Sequence, residues 1–134
     1  MAQLILASSS IYRKLLLERL MINFEIINPE MDEFIIEEET AYETANRLAE
    51  EKARKVSDEF QEAIVIGCDQ TAECNNIQVQ KPLNYKSAIS QLTELSGQKV
   101  NFHSAICVYQ KKTNMIQKEV ISFDVKYKKI TLSQ

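Results

Sequence analysis

A continuous apolar run at residues 63–68 (AIVIGC) is the feature that most constrains how this chain of 134 residues folds. A strand without alternating polar residues is typical of the centre of a sheet that is covered on both faces. Two shorter strand-like segments, residues 3–7 and 23–27, precede it, and a helical pattern with leucines at 15–17 and 20 lies between them. Strands that alternate with helices predict an α/β fold with parallel pairing in its interior.

Capping signals predict two further helices. Thr40 and Glu43 have the spacing of a capping box, which would begin a helix that runs to about Val56. Asn84 is the predicted N-cap of the other helix. That helix is expected to end at Gly97, because glycine readily adopts the left-handed conformation that follows a helix.

The second half of the chain predicts antiparallel strands. Residues 71–80 indicate a hairpin that turns at Asn75-Asn76, since asparagine tolerates positive φ. Two long strand-like segments, residues 99–109 and 115–127, follow the last helix. The sequence therefore predicts a single α/β domain over residues 1–134, in which helices flank a mixed twisted sheet.

Composition excludes several classes of function. The two glycines are too few for a glycine-rich nucleotide loop, and a single histidine, His103, excludes histidine-based zinc sites. His103 lies in a strand pattern and is predicted to be a structural histidine with satisfied hydrogen bonds. A net charge of −3 argues against a nucleic-acid partner. We find neither a membrane span nor a signal peptide, so we expect a cytoplasmic protein without a membrane partner.

The first candidate site is Ser8–Ser10, which follows the first strand. A strand that leads into a helix leaves unpaired N–H groups with a partial positive charge at the helix N-terminus. The serine hydroxyls, with Arg13 and Lys14 beside them, favour the binding of an anion, and phosphate is the usual one. The alternative is an ordinary N-cap with a solvated basic first turn.

Two carboxylates form the second candidate site. Asp69 directly follows the buried run, where a carboxylate is poorly solvated unless a metal or a water pairs with it. The alternative is an aspartate that caps the next turn. Glu33 lies in an acidic stretch, residues 28–39, and Mg²⁺ prefers one or two carboxylates together with phosphate oxygens. The alternative for Glu33 is a solvated acidic loop.

Two lysines complete the set. Lys52 falls within the apolar stripe of its helix, so it either lies along the core surface or points into a site. Lys81 precedes Pro82, which restricts it to an extended conformation, and it is either a positioned cation or an ordinary loop lysine. Carboxylates, cations and a helix N-terminus together suit metal-assisted attack of water on a phosphoanhydride.

The order and spacing of these motifs resemble the Maf family of nucleoside triphosphate pyrophosphatases. The matching stretches are LASSSIYRK at 6–14, MDE at 31–33, RLAEEKA at 47–53, VIGCDQ at 65–70, KP at 81–82 and LSG at 95–97. The resemblance implies a Maf/ITPase-like fold. It also implies hydrolysis of a nucleoside triphosphate to the monophosphate and pyrophosphate, with a divalent cation, Mg²⁺ or Mn²⁺, as cofactor.

The resemblance also implies residue roles. Asp69 matches the family's proton acceptor, and Asp69 and Glu33 match the acids at the metal. The matches to the phosphate site are Ser8, Arg13, Lys52 and Lys81. Lys14, from the anion site inferred above, completes the set of predicted substrate-binding residues.

Tyr12 and Gln70 match two positions that sort substrates within the family. The branch that acts on dTTP and UTP typically has Arg and Thr there, whereas the branch that acts on 7-methyl-GTP has Trp and Gln. The chain is similar to the second branch, and an aromatic ring suits a cationic methylated purine. The resemblance therefore implies 7-methyl-GTP as substrate.

Family members are considerably longer, and the chain ends where their C-terminal part would begin. We therefore expect a C-terminally truncated domain. The alternative function is a catalytically impaired remnant that binds nucleotide weakly or acts only as a structural partner. Exposed final strands invite pairing with another chain, which leaves a homodimer open.

Overall fold

Six strands and three helices make up the described part of the chain, residues 3–33, 36–79 and 84–129 of the computed structural model. In chain order they are β1 (Leu4–Ala7), α1 (Ile11–Glu18), β2 (Glu25–Ile27), α2 (Ala41–Ser57), β3 (Ile64–Cys74), β4 (Ile77–Gln78), α3 (Tyr85–Leu95), β5 (Lys99–Gln110) and β6 (Met115–Lys126). Within these ranges, none of the helices has the length and apolar character needed to cross a membrane.

The six strands form one mixed sheet with the order β2-β1-β3-β5-β6, and β4 pairs with β3 outside this path. β1 runs parallel to both β2 and β3. β3, β5 and β6 are joined by antiparallel pairing. The predicted α/β fold, with interior parallel pairing and an antiparallel second half, is confirmed.

β3 is longer than the apolar run at residues 63–68 from which the strand was predicted, so the prediction that the strand ends with this run, directly before Asp69, is wrong. The parallel neighbour β1 ends where Ala7 pairs with Gly67. β3 itself continues to Cys74, because its antiparallel pairing with β5 extends over the polar residues as well. Asp69 therefore lies just beyond the parallel part of the sheet, in the middle of a strand.

Helix α1 is shorter and less buried than its leucine pattern suggests. The helix ends at Glu18, so Leu20 lies beyond it, and no residue of the helix is buried. Tyr12 and Leu16 lie beside the sheet face that α2 leaves uncovered, where they line a hollow of about 630 Å³. Alternate apolar residues of β5 and β6, including Ile106 and Ile121, are exposed on that face.

Helix α2 covers the other face of the sheet. Its capping box is present as predicted: Thr40 Oγ1 accepts from the Glu43 amide, and Glu43 Oε1 accepts from the Thr40 amide, both at 3.1 Å. The predicted apolar stripe of the helix is buried: Ala45, Leu48, Ala49, Ala53 and Val56. Most of these side chains belong to the core cluster, together with Ile5, Val65, Ala105 and Cys107 of the sheet.

Gly67 lets the backbone of α2 approach β3 closely. A Cβ at this position would overlap the Ala49 carbonyl oxygen and would lie 2.8 Å from the Ala53 amide nitrogen. Both contacts are with helix backbone, which cannot rotate away as a side chain can. Alanine on the helix and glycine on the strand are therefore needed together for this approach.

We expect Gly67→Ala to lower the free energy of unfolding by about 3 kcal/mol, since overpacking of this kind forces the backbone to shift. Urea denaturation measures this change. Gly97→Ala is the matched control: Gly97 has a φ of 73°, and no atom of the described residues lies within 4 Å of its would-be Cβ, so the cost should be the backbone strain alone. That strain is about 1 kcal/mol. Equal losses in the two variants would contradict close packing at Gly67.

Candidate active site

A cleft of about 990 Å³ opens at the edge of the sheet where β1 ends. Its walls are the start of α1 with the serines before it, the loop at residues 28–33, the middle of α2, and the β3–β4 hairpin. Parallel strands characteristically present a ligand crevice beyond their carboxyl ends. The cleft occupies that place beside β1 and the parallel part of β3.

Lys52 joins the two predicted carboxylates inside this cleft. Its Nζ lies 3.0 Å from Asp69 Oδ1 and 2.8 Å from Glu33 Oε1. The same Nζ also donates to the Cys68 carbonyl oxygen at 3.4 Å. Of the alternatives left open for Lys52, the structure therefore has the one in which the side chain points into a site.

Asp69 is a carboxylate held away from water. The residue is only 6% exposed, and its Oδ2 is buried without a hydrogen-bond partner among the residues that the structure describes. Burial raises the pKa of Asp69 above its ordinary value, and Glu33 acts in the same direction, whereas Lys52 and Arg13 oppose it. A carboxyl group with a raised pKa is better suited to accept a proton near neutral pH.

The predicted anion site also lies in this cleft. Ser10 is the N-cap of α1, and its side chain accepts from the Arg13 amide at 3.4 Å. Ser8 is buried, and its Oγ accepts from the Ser10 amide at 3.0 Å. The first turn of the helix carries no acidic residue, so nothing there opposes an anion.

Lys14 and Lys81 differ from the other predicted substrate-binding residues. Lys14 does not line the cleft: it points along the exposed side of α1, where it lies 3.9 Å from Glu18 one turn later. Lys81 lies outside the described residues, so its predicted role stays a prediction. The structure therefore brings together Ser8, Arg13 and Lys52 of this set.

Tyr12 and Gln70 lie at the rim between the cleft and the hollow beneath α1, and they line both. Tyr12 is 77% exposed, so its ring is accessible to a ligand. The two predicted specificity residues therefore share one end of the site, although they come from a helix and a strand.

His103 is confirmed as a structural histidine. Its Nε2 lies 3.0 Å from Glu73 Oε1 and its Nδ1 lies 2.7 Å from Ser122 Oγ. Tyr42 packs edge-on against the ring. Because both ring nitrogens have partners and the residue is buried, this histidine belongs to the packing of the sheet.

Sequence reasoning missed four polar residues in the cleft wall, and two of them, Thr44 and Gln78, are bonded to each other. Gln78 Nε2 donates to Thr44 Oγ1 at 3.0 Å, although the residues are 34 positions apart. The one sequence signal was Thr44 itself, a polar residue next to Ala41 and Ala45 on the buried side of α2.

Two carboxylates are what the site offers a divalent cation. Within residues 3–33, 36–79 and 84–129, no group of three or more His, Cys, Asp or Glu side chains is arranged to hold a metal. Mg²⁺ does not need such a cage, because it is commonly held by one or two carboxylates and by substrate phosphates. The Asp69 and Glu33 carboxylates, which both lie against Lys52 Nζ, are the two donors that such a mode of binding requires.

Comparison with known proteins places the whole chain in one family. The family model described as "Maf-like protein" matches residues 3–134. The 7-methyl-GTP pyrophosphatase of Methylobacillus flagellatus is 45% identical over 98% of this chain and 68% of its own length. Those of Burkholderia lata and Burkholderia pseudomallei are 43% and 42% identical over 96% of this chain. The match spans only 62% and 61% of these two relatives.

We expect Lys52→Met to destabilise the chain at pH 8 in EDTA by about 3 kcal/mol, because it leaves the Asp69 carboxylate buried and unpaired. Asp69 has a raised pKa in the folded state, so protonation favours folding. The loss should therefore shrink as pH falls and Asp69 takes up a proton. Urea denaturation at pH 8 and pH 5 measures the effect.

Two further variants control this experiment. The double variant Lys52→Met/Asp69→Asn should recover most of the lost stability, since no charge then remains buried. Lys86→Met, at an exposed lysine of α3, should have little effect at either pH. A Lys52→Met protein as stable as the wild type at pH 8 would contradict the buried ion pair.

Proposed function

This chain belongs to the Maf family, and from that premise we propose that it is a nucleoside triphosphate pyrophosphatase. The reaction is hydrolysis of the bond between the α and β phosphates, which releases the monophosphate and pyrophosphate. The observation that carries the proposal is the buried Asp69 paired with Lys52 in a cleft that also contains a helix N-terminus. Because the chain spans about three fifths to two thirds of its relatives, its own activity is the first thing to test.

Binding of the triphosphate is assigned to the positive groups of the cleft. The N-terminus of α1 presents backbone N–H groups, and Ser8 and Arg13 lie beside it. Lys52 adds a buried positive charge. These groups would hold phosphate oxygens and keep the scissile bond in a fixed position. Lys81 is proposed to add a further cation.

Asp69 is proposed to take the proton from the attacking water. One of its oxygens is held by Lys52, while the other has no partner among the described residues and can accept. As water adds to the phosphorus atom, its proton passes to this oxygen and the pyrophosphate leaves as the phosphoanhydride bond breaks. The raised pKa of Asp69 favours this transfer.

The proposed cofactor is a divalent cation, Mg²⁺ or Mn²⁺. Glu33 and Asp69 would hold it together with phosphate oxygens of the substrate. When bound, such an ion neutralises charge that develops on the phosphates. The predicted cytoplasmic location stays a prediction.

The proposed substrate is 7-methyl-GTP. Relatives that carry the name 7-methyl-GTP pyrophosphatase are 41–45% identical to this chain. Methylation at N7 makes the purine cationic, and an exposed tyrosine ring attracts such a cation by about 0.5–1 kcal/mol. Tyr12, beside Gln70 at the rim of the cleft, is the ring proposed for this contact.

We expect Asp69→Asn to abolish pyrophosphate release while the protein stays folded. Release from 7-methyl-GTP, GTP, dTTP and UTP, with and without Mg²⁺, measures the activity. The loss should reach at least 100-fold, because proton transfer to a positioned group contributes roughly that much. The free energy of unfolding at pH 7 should stay close to the wild-type value, since the variant removes a charge whose burial is unfavourable and Lys52 keeps its ion pair with Glu33. Unchanged turnover would remove Asp69 from the mechanism.

We expect Tyr12→Arg to weaken the preference for 7-methyl-GTP over GTP several-fold, because a positive charge replaces the aromatic ring. The ratio of kcat/KM for the two substrates measures this preference. Tyr12→Trp is the matched control and should keep or strengthen it. An unaltered ratio in the arginine variant would mean that this side chain does not contact the base.

A second candidate function is favoured by the apolar sheet face that α2 leaves uncovered. Ile106, Ile121 and Phe123 are exposed there, and isolated proteins seldom expose a continuous apolar surface. Under this alternative the chain binds nucleotide weakly and associates with a second copy through this face. Light scattering at several concentrations separates the two. A mass that rises with concentration, without pyrophosphate release, supports association, and an active monomer contradicts it.

A further inference from the structure

We propose that Gln78 determines specificity by accepting a hydrogen bond from an N–H or O–H group of the nucleotide, and that Thr44 and Glu39 hold its amide in the accepting orientation. The inference rests on the proposed function, since it names a specificity residue for the same cleft. It adds Gln78, on the β3–β4 hairpin, to the proposed specificity residues Tyr12 and Gln70.

A chain of hydrogen bonds runs from α2 to the hairpin. Arg47 Nε donates to Glu39 Oε2 at 2.7 Å, and Thr44 Oγ1 donates to Glu39 Oε1 at 2.9 Å. Gln78 Nε2 then donates to Thr44 Oγ1 at 3.0 Å. Thr44 is only 1% exposed, so water cannot readily replace these partners.

The direction of each bond in this chain follows from chemistry. The Arg47 hydrogen bond lowers the pKa of Glu39, so Glu39 is ionised at neutral pH and can only accept. The single proton of the Thr44 hydroxyl must therefore point at Glu39. The oxygen of Thr44 is left as an acceptor, and only the NH₂ end of Gln78 can supply it.

These hydrogen-bond directions determine which end of the Gln78 amide faces Thr44. The flipped amide would set a carbonyl oxygen against a hydroxyl oxygen that has no proton to give, at a buried position. The backbone of Gln78 is also held, because β4 pairs Gln78 with Glu73, and the Val79 amide donates to the Ala72 carbonyl at 2.8 Å. The carbonyl oxygen of the side chain is therefore the end left for a ligand.

Gln78 is half-buried in the cleft wall, and its Oε1 accepts no hydrogen bond from the residues that the structure describes. Phosphate oxygens at neutral pH offer it nothing, because they too are acceptors. The complementary groups of a nucleoside triphosphate are the N–H groups of the base and the hydroxyls of the ribose. Both sources provide the same chemistry, and analogues that lack one or the other distinguish them.

The test compares GTP with two analogues. The first is 2′,3′-dideoxy-GTP, which has no ribose hydroxyl, and the second is purine riboside triphosphate, whose base has no N–H donor. We expect the wild type to bind and turn over one of them roughly 10-fold less well than GTP, the effect of one lost hydrogen bond. Gln78→Leu should reduce the binding and turnover of GTP by the same factor. It should also remove the discrimination against that analogue.

Thr44 is tested as a positioning residue. Thr44→Val should reduce the same discrimination, because the Gln78 amide can then rotate, whereas its turnover of the poorer analogue should stay unchanged. Thr44→Ser restores the hydroxyl and should restore the discrimination. Gln117→Leu, at an exposed glutamine of β6 outside the cleft, is the matched control and should behave as the wild type.

Binding measured by calorimetry beside turnover separates this inference from the proposed function. Selective binding without pyrophosphate release would contradict the pyrophosphatase activity and still support the role of Gln78. If Gln78→Leu weakens the binding of all three nucleotides equally, or leaves the wild-type discrimination intact, Gln78 does not accept a hydrogen bond from the nucleotide. If the wild type binds none of the three nucleotides, both the pyrophosphatase proposal and the role of Gln78 are contradicted.

Discussion

The close approach of α2 to β3 at Gly67 is the constraint on which the rest of the site depends. With no side chain on the strand at that point, the helix backbone rests directly on the sheet. Lys52 lies between Ala49 and Ala53 in sequence and extends over the end of the parallel pairing to reach Asp69, two residues after Gly67. A bulkier residue at the contact would separate the charges that the cleft depends on.

The same helix supplies most of the polar surface of the cleft. Lys52 compensates the buried charge of Asp69. About two helical turns earlier, Thr44 donates to Glu39 and accepts from Gln78, which fixes the orientation of the Gln78 amide. Burial makes both arrangements effective, because a buried polar group without a partner is unfavourable. The placement of α2 on the sheet therefore determines both the environment of the proton acceptor and, in our proposal, the orientation of the specificity residue Gln78.

The helix caps and the hairpin turn could be predicted from the sequence, because each depends on residues close together in the chain. The capping box at Thr40, the turn at Asn75-Asn76 and the Asn84 cap depend on residues within a few positions of one another. The extension of β3 to Cys74 was not predictable in this way, because the partner that prolongs it, β5, lies some thirty residues later in the chain. Gln78 was missed for the same reason, since its importance depends on a distant threonine.

The central claim is that Asp69 is a buried carboxylate whose charge is compensated by Lys52. The most direct test is an NMR titration of the ¹³C-labelled Asp69 carboxyl carbon, without divalent ions, in the wild type and in Lys52→Met. Our account predicts a wild-type pKa above the ordinary value of about 3.9 and a further rise when Lys52 is removed. An ordinary pKa in both proteins would contradict it.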